Sequence, residues 1–360
     1  MASAQGAKIQ RVGDSSTASQ PIVLRKPYLL FLGDVSDPLT LKTAFGLRDW
    51  IPGDVVGQWR LTKTTLDLGL TDLDPEAAIT AGAGSIVIGA APSGGAIPSG
   101  WARALLRAVQ AGLDVVSGLH ASLDSVPGLA AAADRSGVRL HDVRKAPPGL
   151  PVGTGARRPG RRLLTVGTDC AIGKKYTALA LARAMQAAGV DAEFRATGQT
   201  GILIAGTGIA LDTVVADFMA GAAEAVSPAA HPEHWDVIEG QGSLFHPSYA
   251  GISLALLHGS QPDALVLCTD ATRVEIDGCP GYPLPSLAEA MRRNLEAARL
   301  TNAAARFVGI AINTLPLPGE AAATLMRRLA DEHGIPCVDP LRSDVQPIVD
   351  ALECRPSNSR

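Results

Sequence analysis

The sequence predicts two doubly wound α/β domains, the second of which has a P-loop NTPase-like parallel sheet. Three observations support this fold class. The chain has 360 residues, which suits two domains of ordinary size. Apolar, β-rich runs alternate with Ala- and Leu-rich helical stretches, the pattern of a parallel sheet covered by helices. A glycine-rich turn from Gly167 to Lys174, between a predicted strand and a predicted helix, is typical of a phosphate-binding loop.

The first predicted domain covers residues 25–145 and follows an N-terminal tail at residues 1–24. Four apolar runs and two helical stretches define it. The predicted strands are Tyr28–Leu32, Val55–Trp59, Ser85–Ile88 and Asp114–Ser117, and the predicted helices are Trp101–Ala111 and Leu129–Ser136.

A segment rich in Pro, Gly and Arg at residues 146–162 predicts a linker, because it has neither helix nor strand periodicity. The second domain then covers residues 163–352, with a C-terminal tail at 353–360. Its predicted strands are Leu163–Thr168, Ala192–Thr197, Asp236–Glu239, Ala264–Cys268, Arg306–Ile312 and Ile335–Val338, and its predicted helices are Lys174–Ala188, Leu211–Ala225, Ser286–Leu300 and Glu320–His333.

Composition argues against several classes of protein. The net charge is −3 and the basic residues form no helical stripe, so nothing indicates nucleic-acid binding. Five scattered cysteines without a CxxC pair indicate neither a zinc site nor a disulfide framework. The N-terminus lacks the apolar core of a secretory signal, and no apolar run approaches the ~20 residues that cross a bilayer. We expect a cytoplasmic homo-oligomer with no bound metal and no membrane contact.

The phosphate loop belongs to the segment LLTVGTDCAIGKKYTALALARAM, which runs from strand to turn to amphipathic helix. A helix that begins at such a turn directs its first N–H groups at an anion. Lys174 adds a positive charge. The spacing from Gly167 to Gly173 is one residue longer than in the GxxxxGK pattern, and it equals that of the GTDxxxGKT loop in the dethiobiotin synthetase group.

The residue after Lys174 departs from the usual pattern. A Ser or Thr at that position ligates the magnesium that bridges nucleotide phosphates, but here it is Lys175. Thr177 offers a hydroxyl only if the helix begins late, because two residues further on it faces a different direction. The loop is therefore expected to hold a phosphorylated group without transferring a phosphoryl group.

Two candidate acid–base residues lie in WDVIEGQGSLFHPSY, residues 235–249. Glu239 ends a predicted strand, so it is expected at the carboxyl edge of the sheet, where open α/β folds bind ligands. It is interpreted as a general base or an ammonium ligand, with a simple hydrogen bond to the adjoining turn as the alternative. His246 is a second acid–base candidate, with a surface histidine as the alternative.

Further polar residues follow the neighbouring strand and occupy the loop itself. Arg195, Thr197, Gln199 and Thr200 lie in RATGQTGILIAGTG, at a strand end that lines the same crevice. Asp169 is placed to bond the loop or a substrate. Cys170 is either a nucleophile near a helix N-terminus or an inert thiol.

Four motifs, GTDCAIGKK, RATGQTGILIAGTG, DFMAGAAE and IEGQGSLFHPSY, occur in an order and spacing that resemble a bacterial and archaeal family. It is the D-glutamate N-acetyltransferase family, long described as a domain of unknown function, and the resemblance spans residues 27–350. It implies a Rossmann-like N-terminal domain and a P-loop C-terminal domain. It also implies acetyl-CoA as the acetyl donor, D-glutamate as the acceptor, and coenzyme A phosphates held by the loop.

The implied reaction is direct attack of the acceptor amine on the thioester, which needs a base, oxyanion donors and cations for two carboxylates. Glu239 is the first choice for the base, followed by His246, with Asp169 also assigned to catalysis. Backbone N–H groups of residues 240–243 are expected to serve the oxyanion. The expected cofactor-binding residues are Gly167, Thr168, Cys170, Gly173, Lys174, Lys175 and Tyr176, and the expected substrate-binding residues are Arg195, Thr197, Gln199, Gln241, Ser243 and Arg273.

Two other functions remain open on the sequence alone. An ATP- and Mg-dependent ligase or kinase resembling dethiobiotin synthetase shares the loop spacing, and Lys175 argues against it. A nucleotide-sensing regulator is the third hypothesis. A nicotinamide-dependent oxidoreductase is excluded because no GxGxxG follows a predicted strand.

Overall fold

The computed structural model describes residues 22–90, 92 and 97–353 of the chain. Within them, two parallel β-sheets carry helices on their faces, which confirms the prediction of two α/β domains. The first domain contains β1 (Ile22–Val23), β2 (Tyr28–Gly33), α1 (Lys42–Trp50), β3 (Val55–Arg60), α2 (Pro75–Thr80), β4 (Ser85–Ile88), α3 (Ala102–Ala111), β5 (Asp114–Ser117), α4 (Leu129–Ser136) and β6 (Leu140–Asp142).

The first sheet has the strand order β3-β2-β4-β5-β6, and all its pairs are parallel. Every residue of β2, β4 and β5 is buried, as expected for strands covered by helices on both faces. This order corresponds to the 2-1-3-4-5 arrangement of doubly wound folds.

The second domain contains seven strands and seven helices within the described residues. These are β7 (Arg161–Gly167), α5 (Lys174–Ala187), β8 (Ala192–Arg195), α6 (Gln199–Ala205), β9 (Thr207–Gly208), α7 (Ala216–Val226), β10 (Trp235–Ile238), α8 (Ala250–Ser260), β11 (Ala264–Asp270), α9 (Leu287–Arg299), β12 (Arg306–Asn313), α10 (Gly319–His333), β13 (Cys337–Val338) and α11 (Gln346–Glu353).

The second sheet, in the order β13-β12-β11-β7-β10-β8, separates two apolar cores. Along β11, Ala264, Val266 and Cys268 face the core formed with α5 and α11, whereas Leu265 and Leu267 face the core formed with α7, α8 and α9. Successive side chains of a strand point to opposite faces, so a continuous apolar run fills both cores.

Three predicted boundaries need correction. Residues 22–24 are not part of a free tail, because β1 pairs with β9 and the Leu24 N–H donates to the carbonyl of Gly206. The linker ends at residue 160, since β7 already begins at Arg161. The helix predicted from Leu211 begins at Ala216, after a short 3-10 turn at residues 211–213. Residues 1–21 and 354–360, assigned to the tails, lie outside the described residues.

The two domains share apolar packing through α6. Ile202, Leu203 and Ile204 belong to the same buried cluster as the core of the first domain. The α6 helix also contacts α1 of that domain. No helix in the part of the chain that the structure describes is both long and apolar enough to span a bilayer.

Candidate active site

The loop between β7 and α5 has the geometry of an anion site. Gly173 adopts φ +102°, a left-handed conformation that glycine tolerates, and α5 begins at the next residue. The N–H groups of its first turn have no intrahelical acceptor, and no side chain caps them. The Lys174 ammonium donates to the carbonyl of Asp169 at 2.6 Å, and burial lowers the Lys174 pKa. The loop therefore offers both N–H groups and a lysine to a phosphate.

No hydroxyl on the first turn of α5 is placed to ligate magnesium. Lys175 occupies the usual position, and the Thr177 hydroxyl is buried and donates to the carbonyl of Gly173 at 3.1 Å. The Thr168 hydroxyl, in the loop, is bonded to that of Thr269 at 3.0 Å. The loop thus fits a phosphate that is held rather than transferred.

Asp169 fastens the phosphate loop to the segment 273–280, which we call the flanking loop. The carboxylate is fully buried and accepts from the Arg273 guanidinium at 2.8 Å and from the Asp277 N–H at 2.8 Å. Its second oxygen accepts from the Cys170 N–H at 2.6 Å. The flanking loop lines a cavity of about 320 Å³. With its bonds taken by the protein, Asp169 organises the loops rather than offering a free catalytic carboxylate.

His246 also bonds to the flanking loop. Its Nδ1 accepts from the Ser248 N–H at 3.1 Å, so the proton resides on Nε2, which lies 3.3 Å from the Asp277 carbonyl. The ring is 5% exposed and packs on Tyr249. As bonded here, His246 has no free lone pair to accept a proton, contrary to its assignment as second candidate for the base.

Cys170 lies in the same cluster. Its thiol and the donor atoms of Asp169 and His246 are all within 4.8 Å of one another. Burial raises the Cys170 pKa, which disfavours the thiolate that a nucleophile or a metal ligand requires. The bonds of Asp169 and His246 already use the atoms that would bind a cation.

Glu239 lies directly after β10, at the carboxyl edge of the sheet, and is 3% exposed. Its Oε2 accepts from the N–H groups of Thr197 and Gly198, both at 3.0 Å. No described residue donates to Oε1. Burial raises the Glu239 pKa, an effect that the charge of Lys175 and the two N–H groups partly oppose. A buried carboxylate with a raised pKa and one free oxygen accepts a proton more readily than an exposed carboxylate does.

The start of α6 fixes the position of this carboxylate. A Cβ on Gly201 would lie 2.1 Å from Glu239 Oε2, so the first turn of α6 can approach Glu239 only with glycine there. The Thr197 hydroxyl donates to the Glu239 carbonyl at 2.6 Å. Thr197, predicted as a substrate ligand, is therefore a direct support of Glu239.

The remaining predicted polar residues divide between two places. Gln241 and Glu239 both lie against Gly198, whereas Gln199 contacts Gly118 of the first domain at the domain boundary. Ser243 instead donates to the carbonyl of Gly167 at 3.0 Å and ties its segment to the phosphate loop.

The structure does not leave the two predicted arginines free for substrate carboxylates. The Arg195 guanidinium bonds to Asp236 at 2.6 Å and to Glu193 at 2.8 Å. Arg273 is paired with Asp169. The Gly240 N–H, predicted as an oxyanion donor, already donates to the Thr165 hydroxyl at 2.9 Å.

Tyr176 faces the first domain, and Lys175 contacts its ring. The Tyr176 ring stacks on Trp50 of α1, with centroids 5.5 Å apart and planes at 17°. The Lys175 ammonium lies 4.5 Å from the Tyr176 ring centroid. On its other side, Trp50 is covered by the Arg183 guanidinium, which also donates to the Trp50 carbonyl. Trp50 was not among the predicted site residues. The one signal for it in the sequence is an aromatic residue at the end of a helix that was not predicted.

Comparison with known proteins identifies the family of this chain. One family model, "Domain of unknown function (DUF1611_C) P-loop domain", matches residues 151–349, and "Domain of unknown function (DUF1611_N) Rossmann-like domain" matches residues 60–146. A D-glutamate N-acetyltransferase of Tritonibacter scottomollicae is 48% identical over 92% of this chain and 99% of its own length. The chain belongs to this family of N-acetyltransferases.

Other relatives agree across nearly the full length of the chain. A D-glutamate N-acetyltransferase of a Pseudoalteromonas species is 44% identical over 91% of this chain and 98% of its own. The crystal structure of a DUF1611 family protein from Anabaena variabilis matches with a TM-score of 0.78 and 36% identity, covering 91% of this chain and 99% of that one. The predicted resemblance is thus confirmed, and so is the Rossmann-like and P-loop pair of domains.

Proposed function

We propose that this chain transfers the acetyl group of acetyl-CoA to the amine of D-glutamate, in the cytoplasm, with coenzyme A phosphates at the phosphate loop. The observation that carries the proposal is a buried carboxylate, Glu239, beside a phosphate loop in which Lys175 replaces the magnesium-binding hydroxyl. The activity named for the two relatives supports it.

The phosphate side of the site suits coenzyme A. The uncapped first turn of α5 and Lys174 offer N–H groups and a positive charge to a pyrophosphate or a 3′-phosphate. The cavity of the flanking loop adjoins the phosphate loop through the Asp169–Arg273 pair. No phosphoryl group is transferred in acetylation, so a magnesium ligand is not required there.

Glu239 acts as the general base in this proposal. Its free Oε1 takes a proton from the acceptor ammonium, and the amine attacks the thioester carbonyl. The N–H groups of Gln241 and Gly242 have no acceptor among the described residues, and in this proposal they donate to the tetrahedral oxyanion. Collapse of this intermediate breaks the C–S bond, and the departing thiolate takes up a proton. The products are N-acetyl-D-glutamate, coenzyme A and one released proton.

The test is release of free coenzyme A thiol in the presence of EDTA, with acetyl-CoA and a panel of D- and L-amino acids. We expect release with D-glutamate, at the same rate with and without EDTA, and N-acetyl-D-glutamate by mass spectrometry. Turnover of ATP that requires magnesium and no acetyl-CoA would instead support the ligase or kinase alternative. Absence of thiol release with every acceptor would favour a nucleotide-sensing protein.

A further inference from the structure

Lys175 has an ammonium group without a partner. The Lys175 side chain is half-buried, yet its Nζ forms no hydrogen bond or ion pair with another described residue. Its contact with the Tyr176 ring is a cation–π interaction, which offers no hydrogen-bond acceptor. A half-buried ammonium in this state retains its capacity to bind an anion.

Glu239 presents a complementary group. Its Oε1 accepts no hydrogen bond from the described residues, and the charge of Lys175 acts on its carboxylate. The two groups nevertheless do not form an ion pair. The first turn of α5 adjoins the strand end that carries Glu239, since a Cβ on Gly240 would lie 3.1 Å from the Lys174 side chain. A neighbouring ammonium and carboxylate that do not pair can each bind the opposite charge of a single ligand. The zwitterion of an α-amino acid carries an ammonium and a carboxylate on one carbon.

The other cations assigned from the sequence are engaged elsewhere. Arg195 is held by Asp236 and Glu193, and Arg273 is held by Asp169. Lys174 points into the phosphate loop, where it bonds to the Asp169 carbonyl. Lys175 is therefore the assigned cation that lies beside Glu239 and has no protein acceptor.

We propose that Lys175 binds the α-carboxylate of the acceptor amino acid, rather than a phosphate of coenzyme A, while the acceptor ammonium lies at Glu239. This inference rests on the proposed function for the identity of the acceptor. The proposed site adjoins the domain boundary, where Gln199 contacts Gly118 of the first domain and where Tyr176, whose ring the Lys175 ammonium contacts, stacks on Trp50. The residue that replaces the magnesium ligand thereby becomes a determinant of acceptor specificity.

The experiment compares Lys175→Met and Lys175→Arg with the wild type and with Lys145→Met, a matched change at an exposed lysine. Steady-state kinetics are measured with D-glutamate and with γ-aminobutyrate, which lacks the α-carboxylate. Loss of one charged contact corresponds to roughly a 10- to 100-fold weaker interaction. We expect Lys175→Met to raise the KM for D-glutamate by about that factor and to leave the KM for acetyl-CoA within about twofold. Lys175→Arg should restore part of the loss.

The preference for D-glutamate over γ-aminobutyrate is the decisive readout. The proposal predicts that this preference collapses in Lys175→Met and persists in Lys145→Met. A rise in the KM for acetyl-CoA with the preference intact would overturn it, because Lys175 would then be holding a phosphate. Should the wild type acetylate no amino acid, the proposed function fails. Calorimetric binding of D-glutamate, lost in Lys175→Met and kept in Lys145→Met, would still support the carboxylate site, and equal binding by both variants would overturn it.

Discussion

In the proposed function, Glu239 has a structural role and a catalytic role, and its surroundings affect the free energy of its charged form in opposite directions. Its Oε2 accepts two backbone N–H groups and so holds the start of α6, while its burial disfavours the charge that a base must carry before reaction. The raised pKa of Glu239 results from this burial, and it connects the structural role of the side chain with proton transfer. A carboxylate placed in this way accepts a proton more readily than an exposed one.

Glu239→Gln separates the two roles. A glutamine carbonyl can still accept from Thr197 and Gly198, whereas it cannot take a proton. We expect kcat to fall by about 10²- to 10⁴-fold, the usual contribution of a general base, with the KM for acetyl-CoA little changed. The acid limb of the wild-type pH–rate profile should disappear as well. Glu233→Gln, at an exposed glutamate paired with Arg161, is the matched control. Loss of acetyl-CoA affinity without loss of kcat would show that Glu239 is not the base.

The pH dependence of stability provides an independent check on Glu239. Its pKa in the folded protein is raised above the unfolded value, so the folded state binds more protons between these two values. The wild type should therefore lose stability as the pH rises from the unfolded pKa through the folded one, and Glu239→Gln should not. We expect the Tm of the variant, relative to that of the wild type, to rise as the pH increases from the unfolded pKa of Glu239 through its folded pKa. A constant difference between the two would contradict the raised pKa.

At the scale of single elements, α6 determines where the Glu239 carboxylate lies. Gly201 lets the first turn of this helix approach Oε2, and no larger side chain fits at the observed geometry. We expect Gly201→Ala to displace the carboxylate and lower kcat by at least about 10-fold, since misplacement of a catalytic group is costly. The change should leave the KM for acetyl-CoA unaltered. Gly251→Ala, at a glycine of α8 with open space around it, is the control. Full activity of Gly201→Ala would mean that α6 does not position Glu239.

The elements that the sequence predicts best are those with a strong local signal. The apolar run of β11 and the strand-to-helix turn before α5 are both present as predicted, because alternating burial and glycine geometry act over a few residues. The α6 helix was missed because its seven residues are too few to show a helical period and include Gly201. The pairing of Arg195 with Asp236 was missed because it joins residues 41 positions apart, and only the adjacency of β8 and β10 brings them together.

At the scale of the whole molecule, the candidate site depends on both domains. The phosphate loop belongs to the second domain, and the first contributes Trp50 against Tyr176 and Gly118 against Gln199. Residues 22–24 of the first part of the chain also pair with the segment after α6. The acceptor side of the site, as proposed, therefore adjoins the domain boundary, which no local sequence pattern reveals.

Trp50→Ala tests this dependence. It removes an aromatic stack and a cation–π contact, together about 1–3 kcal/mol of stability. We expect a lower Tm and a several-fold higher KM for the acceptor, with the KM for acetyl-CoA close to the wild-type value. Trp50→Phe, which keeps an aromatic ring on Tyr176, should restore most of the lost Tm and most of the lost acceptor affinity. Equal increases in the two KM values would indicate that the boundary supports the phosphate loop and not the acceptor side.

The most direct test of the account is calorimetric binding of coenzyme A, in EDTA, to the wild type, Lys174→Ala and Glu239→Gln. The proposed function separates phosphate binding at the loop from proton transfer at Glu239. It predicts metal-independent binding by the wild type, unchanged affinity in Glu239→Gln, and affinity about 10- to 100-fold weaker in Lys174→Ala, the loss expected for one charged contact. Unchanged affinity in Lys174→Ala, or binding that requires magnesium, would contradict it.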